Sequence, residues 1–225
     1  MALLLAIETT TKNCSVALFE NSKLLQFKEQ NSDEYLHAEQ LTFFIEEVVE
    51  KSNITLKEID GIVLSKGPGS YTGLRIGTST AKGFCYSLDI PLISVSTLKA
   101  MAFVMSKKED YKFYCPMIDA RRMEVFASIY DQSNNEVREI RADIVDEYIY
   151  AQFLQDKVLF FGDGALKCKA IINNPNAHFI DGVFPSAKDM GILGFEKFAN
   201  KDFEDIAYFE PYYLKDFVAG KKKKS

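Results

Sequence analysis

Residues 67–77 read Gly-Pro-Gly-Ser-Tyr-Thr-Gly-Leu-Arg-Ile-Gly, and they follow an apolar run from Gly61 to Ser65. The apolar run is typical of a buried strand, and Gly-Pro-Gly indicates a sharp turn. Ser70 or Thr72 then provides an N-cap for a helix that we expect to continue to about Leu88. Because strands that alternate with helices need crossover connections, this stretch predicts an α/β fold with a partly parallel sheet.

The sequence on either side supplies the other elements of one α/β unit. Short apolar runs separated by polar turns predict an opening meander of three strands, at Leu3–Ile7, Val16–Phe19 and Leu24–Phe27. After Asp33, apolar residues recur at the spacing of a helix with one buried face, namely Leu41, Phe44, Ile45 and Val48. Leu92–Val95 predicts a fifth strand. The predicted order is β-β-β-α-β-α-β-α up to about residue 106.

The second half of the chain repeats the opening pattern of strand, acidic turn and strand. This pattern covers Phe113–Ile118, Asp119–Arg122 and Glu124–Tyr130, and Asn134-Asn135 then fits a hairpin turn. We also expect a strand at Val137–Ile140, a short helix near Asp146–Leu154, a strand at Val158–Phe161 and a helix at Ala187–Phe198. We therefore predict two related lobes, 1–105 and a smaller 106–225, and the pattern leaves open which lobe the last helix packs on.

Composition and charge narrow the functional classes. The 225 residues are 47% hydrophobic and 26% charged, as in ordinary globular proteins, and no window approaches the apolar length of a membrane span. The four cysteines are scattered without CxxC spacing, so we expect idle thiols in a cytosolic protein. The net charge of −5 argues against a chain that grips RNA by itself. We expect the basic run Lys221–Lys224 to be a solvated tail.

Three motifs carry a resemblance to a known family. They are Ala6–Thr10 (AIETT) at the end of the first strand, His37–Glu39 (HAE) on the first helix, and the glycine motif at 67–77. Together they resemble the TsaB (YeaZ) family, and further fitting stretches extend the resemblance over nearly the whole chain, at 81–83, 95–98, 118–125, 162–164 and 211–214. The resemblance implies a two-lobed actin-like fold of the ASKHA group (sugar kinases, Hsp70 and actin) with ribonuclease H-like lobes.

The same resemblance implies a function. Proteins of this family are catalytically silent partners of TsaD, the paralogue that transfers a threonylcarbamoyl group to adenosine 37 of tRNAs reading codons that begin with A. The expected partners are therefore TsaD and, through the complex, the ATPase TsaE and tRNA, with a homodimer when the chain is alone and no membrane. One alternative is a stand-alone small-molecule kinase or ATPase of this fold, favoured by Glu8 and Gly162-Asp163-Gly164. A metalloprotease, an older label of the family, is a third possibility.

Few residues are candidates for binding a nucleotide or a metal. Glu8 ends the first strand, where actin-like ATPases place a carboxylate near magnesium and phosphate. The loop after it has no glycine that would let backbone amides close on a phosphate, so we interpret Glu8 as a turn acid. The resemblance implies that TsaD binds iron through two histidines four residues apart on this first helix. Here Leu41 follows His37 at that spacing, and the other histidine is His178, so we expect no metal, cofactor or catalytic site.

Two other patterns are compatible with catalytic or anion-binding chemistry. Ser70 lies in a Gly-x-Ser-x-x-Gly sequence, which differs from the Gly-x-Ser-x-Gly nucleophile elbow, so a hydrolase triad has little support. Arg121 and Arg122 stand beside Asp119 and Glu124 and form either an anion site or a salt-bridged turn. We expect the salt-bridged turn.

The predicted functional surface is a partner interface on the first two helices. On the second helix a set of small residues and one aromatic falls within about a 100° arc, which predicts a groove that admits another helix. Glycine inside a helix costs roughly 0.5–1 kcal/mol relative to alanine, so Gly73 and Gly77 ask for a packing explanation. The predicted interface residues are Leu36, His37, Phe43, Gly73, Gly77, Thr80, Ala81 and Phe84.

Overall fold

Two five-stranded sheets form the framework of the molecule. The structure is a computed structural model that describes residues 1–32 and 37–215. In the first sheet the order is β3-β2-β1-β4-β5. The β1–β2 and β2–β3 pairs are antiparallel, whereas β4 pairs in parallel with both β1 and β5. The strands are β1 (Leu3–Glu8), β2 (Asn13–Glu20), β3 (Lys23–Asn31), β4 (Gly61–Ser65) and β5 (Leu92–Val95).

The second sheet repeats this arrangement. Its order is β10-β9-β6-β7-β8, with antiparallel β6–β7 and β7–β8 pairs and parallel β6–β9 and β9–β10 pairs. The strands are β6 (Phe113–Asp119), β7 (Glu124–Asp131), β8 (Glu136–Ile144), β9 (Val158–Phe161) and β10 (Ala177–Ile180). The duplicated order is that of two ribonuclease H-like lobes, and it confirms the predicted α/β actin-like fold class.

Five helices cover the sheets in the described part of the chain. They are α1 (His37–Lys51), α2 (Tyr71–Leu88), α3 (Thr97–Lys108), α4 (Ala165–Cys168) and α5 (Gly191–Ala199). Serine residues are the N-caps of α2 and α3. Ser70 Oγ accepts the Gly73 N–H at 3.3 Å, and Ser96 Oγ accepts the Lys99 N–H at 3.4 Å. The predicted helix that starts at this Ser70 cap is confirmed.

The helices divide the core into layers. α1 and α2 bury Leu41, Ile45 and Ala81 against one face of the first sheet. α5 and part of α3 pack on the other face of that sheet. The remaining face of α3 buries Leu98 and Met101 against the second sheet, so α3 lies between the two sheets. The first sheet therefore presents α1 and α2 on the side away from the second lobe.

The late helix packs on the first lobe. Before it, Asn13 Nδ2 donates to the Pro185 carbonyl at 2.8 Å, and the Ala187 N–H donates to Ser15 Oγ at 2.9 Å. Ala187–Asp189 then forms one 3-10 turn, and α5 places Gly194 directly on Val63 of β4. The chain thus crosses back to the first sheet after the second is complete. The lobe boundary between residues 105 and 106 stays a proposal.

One predicted helix is wrong, the helix predicted at Ala187–Phe198 begins only at Gly191, and two short elements were not predicted. The segment predicted as a helix at Asp146–Leu154 consists of turns. Asp146 Oδ1 accepts the N–H groups of both Tyr148 and Ile149 at 2.9 Å, which satisfies these donors locally without a continuous helix. The four-residue elements α4 and β10 were not predicted, because both are too short to show a period.

Some predictions lie outside the described residues, namely those on Asp33, Leu36 and Lys221–Lys224. In the described part of the chain, no helix combines the length and apolar character that crossing a membrane requires. The four cysteines are buried and unpaired, as their spacing predicted.

Candidate functional site

The turn between β1 and β2 fills the amino end of α2. The Ser70 N–H donates to the Thr10 carbonyl at 2.6 Å. The Thr9 hydroxyl donates to the Gly73 carbonyl at 2.8 Å. Free N–H groups at a helix amino end commonly bind phosphate, but here the chain's own turn stands at that position.

The glycines of the 67–77 motif allow this close approach. A Cβ atom added at Gly69 would overlap the Thr10 carbonyl, one at Gly73 would overlap the Thr9 carbonyl, and one at Gly77 would overlap Thr9 Oγ1. Gly73, Gly77 and Ala81 are all buried. The predicted outward direction of the small-residue groove was therefore wrong for these three residues, because Gly73 and Gly77 contact the β1–β2 turn and Ala81 lies in the first-lobe core.

Glu8 is enclosed by the same turn. Its Oε1 accepts the Thr10 N–H at 2.6 Å, and its side chain is 1% exposed. Burial raises the pKa of the Glu8 carboxyl, while hydrogen bonds from Ser65 and Thr10 lower it. The contact with Thr10 agrees with the interpretation of Glu8 as a turn acid.

The two histidines lie in different lobes. His37 is buried at the start of α1, where its Nε2 lies 2.7 Å from the Thr11 carbonyl and donates to it. Burial lowers the pKa of His37, and the bond to Thr11 partly opposes this. His178 lies on β10 and makes an edge contact with Tyr111. Among residues 1–32 and 37–215, no three His, Cys, Asp or Glu side chains are grouped as metal ligands would be.

The outward face of α1 and α2 carries exposed apolar and small residues. Phe43 on α1 is 68% exposed and Tyr86 on α2 is 86% exposed. Of the other predicted interface residues on α2, Thr80 and Phe84 are half-buried. We call this face the α1–α2 face; it is formed by Phe43, Ile76, Ser79, Thr80, Gly83, Phe84 and Tyr86. Ile76 and Phe84 lie at its edge, since both are half-buried and also pack against the first-lobe core.

Four residues of this face were not predicted from the sequence, namely Ile76, Ser79, Gly83 and Tyr86. Gly83 is exposed and lies in the interior of α2, and outside the adjoining helix backbone no atom of the described chain lies within 4 Å of the position where a Cβ would stand. Unlike Gly73, it has no packing explanation inside the chain. At 100° per residue Gly83 falls on the side of α2 opposite Leu74 and Cys85, so a helical wheel drawn from these apolar residues would have placed it outside.

The corresponding end of the second lobe is closed in the same manner. Gly162 has a φ of +108°, and a Cβ atom there would overlap the Met117 carbonyl, so this glycine serves a tight backbone contact. The prediction that Arg121 and Arg122 form salt bridges within this turn was wrong. Asp119 instead pairs with Lys167, and Glu124 pairs with Lys215.

Comparison with known proteins places this geometry in a family. Residues 32–221 match the family model described as TsaD: tRNA N6-adenosine threonylcarbamoyltransferase. The tRNA threonylcarbamoyladenosine biosynthesis protein TsaB of Escherichia coli (strain K12) is 30% identical over 226 aligned residues, which cover 97% of each chain. The tRNA N6-adenosine threonylcarbamoyltransferase of Geotalea daltonii is 34% identical over 77 residues, or 34% of this chain and 23% of that one.

A solved structure has the same fold. The structure of YeaZ from Pseudomonas aeruginosa superposes with a TM-score of 0.79 at 24% identity, covering 95% of this chain and all of that one. The agreement extends over both lobes.

Proposed function

The chain belongs to the TsaB (YeaZ) family of tRNA threonylcarbamoyladenosine biosynthesis proteins, and from this we propose that it is a non-catalytic partner subunit of a TsaD-type threonylcarbamoyltransferase. In this proposal the enzyme transfers a threonylcarbamoyl group to adenosine 37 of tRNAs that read codons beginning with A. This chain acts as a scaffold for the enzyme, a TsaE-type ATPase joins the assembled complex, and tRNA binds only to the complex.

The observation that carries the proposal is the α1–α2 face. Single exposed aromatic residues are normal on a protein surface. Here the exposed Phe43 and Tyr86 occur together with Gly83, which destabilises α2 by roughly 0.5–1 kcal/mol relative to alanine. No close contact at Gly83 among the described residues explains why a glycine stands there. A glycine on an exposed helix face lets another helix approach closely, so the face fits a helical partner.

The partner of this face is an enzyme whose first lobe resembles this one. The local identity to a threonylcarbamoyltransferase supports a related first lobe in the partner. Two helices from each protein would then form a pseudo-symmetric four-helix contact. A second copy of this chain offers the same helices, so an isologous homodimer through this face is expected when the enzyme is absent.

The β1–β2 turn occupies the end of β1 and the amino end of α2, where a nucleotide would bind, and this supports a role without catalysis. Phosphate binding at α2 would require the Thr10 carbonyl to leave the Ser70 N–H, and magnesium binding by Glu8 would require opening the turn that leaves its side chain 1% exposed. The same contacts oppose the alternative function of a stand-alone kinase or ATPase, which needs both groups.

Reconstitution tests the proposed function. Supplied with an activated threonylcarbamoyl donor, the partner enzyme, a TsaE-type ATPase and this chain should together modify tRNA, and the same mixture without this chain should fail. The isolated chain should hydrolyse no ATP. An ATPase activity of the isolated chain that Glu8→Ala removes would instead support the alternative, and full tRNA modification without the chain would contradict the scaffold role.

A further inference from the structure

The turn between β6 and β7 holds two arginines in an unfavourable backbone conformation. Arg121 has a φ of +70° and Arg122 a φ of +51°. Non-glycine residues rarely adopt positive φ, and those that do are most often Asn or Asp. The other described non-glycine residues with positive φ are isolated in sequence, and most are Asn or Asp: Asn21, Asn53, Asp89, Asn134 and Lys201. Two successive arginines are therefore unusual in this chain, and such conformations concentrate at functional sites.

A network of hydrogen bonds fixes this turn. Asp119 Oδ1 accepts the Arg121 N–H at 2.8 Å and is also paired with Lys167. The Lys167 ammonium donates in addition to the carbonyl of Arg122 at 2.8 Å and to that of Glu124 at 2.6 Å. Lys167 thus bonds to both sides of the turn, so the conformation does not depend on the arginine side chains.

The same network leaves the guanidinium groups of both arginines free of ion pairs with the described residues and open to a ligand. Arg121 and Arg122 are exposed. Of the carboxylates at this turn, Asp119 pairs with Lys167, Glu124 pairs with Lys215, and Asp163 accepts the Asp119 N–H at 3.0 Å. In the described part of the chain, neither guanidinium has an ion-pair partner. The turn therefore presents two adjacent positive groups on a chain whose net charge is −5.

We propose that the Arg121-Arg122 turn is a phosphate-binding site that contacts the tRNA backbone once the chain has joined the enzyme. The proposal rests on the proposed function, which brings tRNA to the complex. A guanidinium group matches the geometry of phosphate oxygens and stays charged at all physiological pH values. Two arginines supply too little charge to hold RNA alone, but they add phosphate contacts to those of an enzyme that already binds it.

The test compares two double variants with the parent chain in the assembled complex. The first is Arg121→Gln with Arg122→Gln. The control is Lys112→Gln with Lys157→Gln, which makes the same change of charge at exposed positions before β6 and β9, at the opposite end of the same strands. Thermal unfolding and gel filtration establish that both variants fold and join the enzyme. The affinity for tRNA is then measured over a series of salt concentrations.

We expect the arginine variant to bind tRNA roughly tenfold more weakly than the parent. The slope of log K against log salt concentration should become less steep by about 1 to 2, because fewer phosphate contacts release fewer counterions on binding. The lysine control should match the parent. Unchanged affinity and slope in an assembled arginine variant would overturn the phosphate site.

Failure of the parent chain to join the enzyme would overturn the proposed function. It would overturn the phosphate site as well, because this site is proposed only for the chain in the assembled complex. Assembly with unchanged tRNA affinity, by contrast, would overturn the phosphate site alone.

Discussion

At the scale of single residues, glycines in α2 have two different roles. Gly73 lets the Thr9 carbonyl approach the helix from inside, whereas Gly83 faces open space. The same substitution should therefore have opposite effects at the two positions.

We predict that Gly83→Ala raises the free energy of unfolding by about 0.5–1 kcal/mol, because alanine favours the helix and meets no neighbour. Gly73→Ala should lower it by about 1–3 kcal/mol, because the new methyl group overlaps backbone that cannot move freely. Urea unfolding of both variants measures these changes. A destabilised Gly83→Ala or an unaffected Gly73→Ala would show that α2 is packed differently.

The sequence predicted α2 and its cap but not the direction of its glycines. Glycine has no side chain, so its position on a helix does not show by itself which face is buried. The partners of Asp119 were missed for another reason. Sequence neighbours suggested Arg121, whereas Lys167 stands 48 positions away and comes close only through the parallel pairing of β6 and β9.

At the scale of elements, the 3-10 turn Ala187–Asp189 joins the second lobe to the first. It puts the Asp189 carboxyl in a poorly solvated position, and burial raises its pKa to about 6, while Lys188 and Lys108 lower it. The ordinary value is 3.8. Between these values the folded protein holds a proton that the unfolded chain has released, so stability decreases as the pH rises through this window.

We predict that Asp189→Asn raises the free energy of unfolding at pH 7.5, by on the order of 1 kcal/mol after allowance for partial exposure of this group. The gain should disappear near pH 4, where the carboxyl of the parent is protonated in the folded state. Thermal unfolding across this pH range measures it. Asp156→Asn, at an exposed carboxyl, is the control. A gain that does not change with pH would contradict burial of Asp189.

The elements that the sequence identified are those with a clear period or a strong turn signal. The first lobe was recovered because its strands and helices are long, apolar on one side and separated by polar turns. A helix was wrongly predicted at Asp146–Leu154 because Tyr150 and Leu154 have helical spacing and are buried, although the backbone around them forms turns. Apolar spacing over two positions does not separate a helix from a folded turn.

At the scale of the whole molecule, the buried turn at the amino end of α2 and the exposed α1–α2 face support the proposal that the protein works through a partner. The net charge of −5 likewise disfavours binding of RNA by the isolated chain. We predict that the isolated chain binds tRNA weakly or not at all at physiological salt, as measured by filter binding. Micromolar or tighter binding by the isolated chain would contradict the proposal that tRNA binds only to the complex.

The central claim is that α1 and α2 form the contact with the enzyme, and Gly83 offers the most direct test. Gly83→Arg places a long cation where a helix should approach closely, but the open space around Gly83 lets the chain fold. Gly83→Ala controls for the loss of glycine. Glu196→Arg controls for an added arginine, because Glu196 is an exposed residue of α5 on the other face of the first sheet.

The measurement is the affinity of each variant for the TsaD-type enzyme, after thermal melts have shown that all three fold. We expect Gly83→Arg to weaken association at least about tenfold, since burying an unpaired charge in an interface is strongly unfavourable. Glu196→Arg should bind like the parent, and Gly83→Ala should remain close to it. Association of Gly83→Arg at parental affinity would show that this helix face is not the interface.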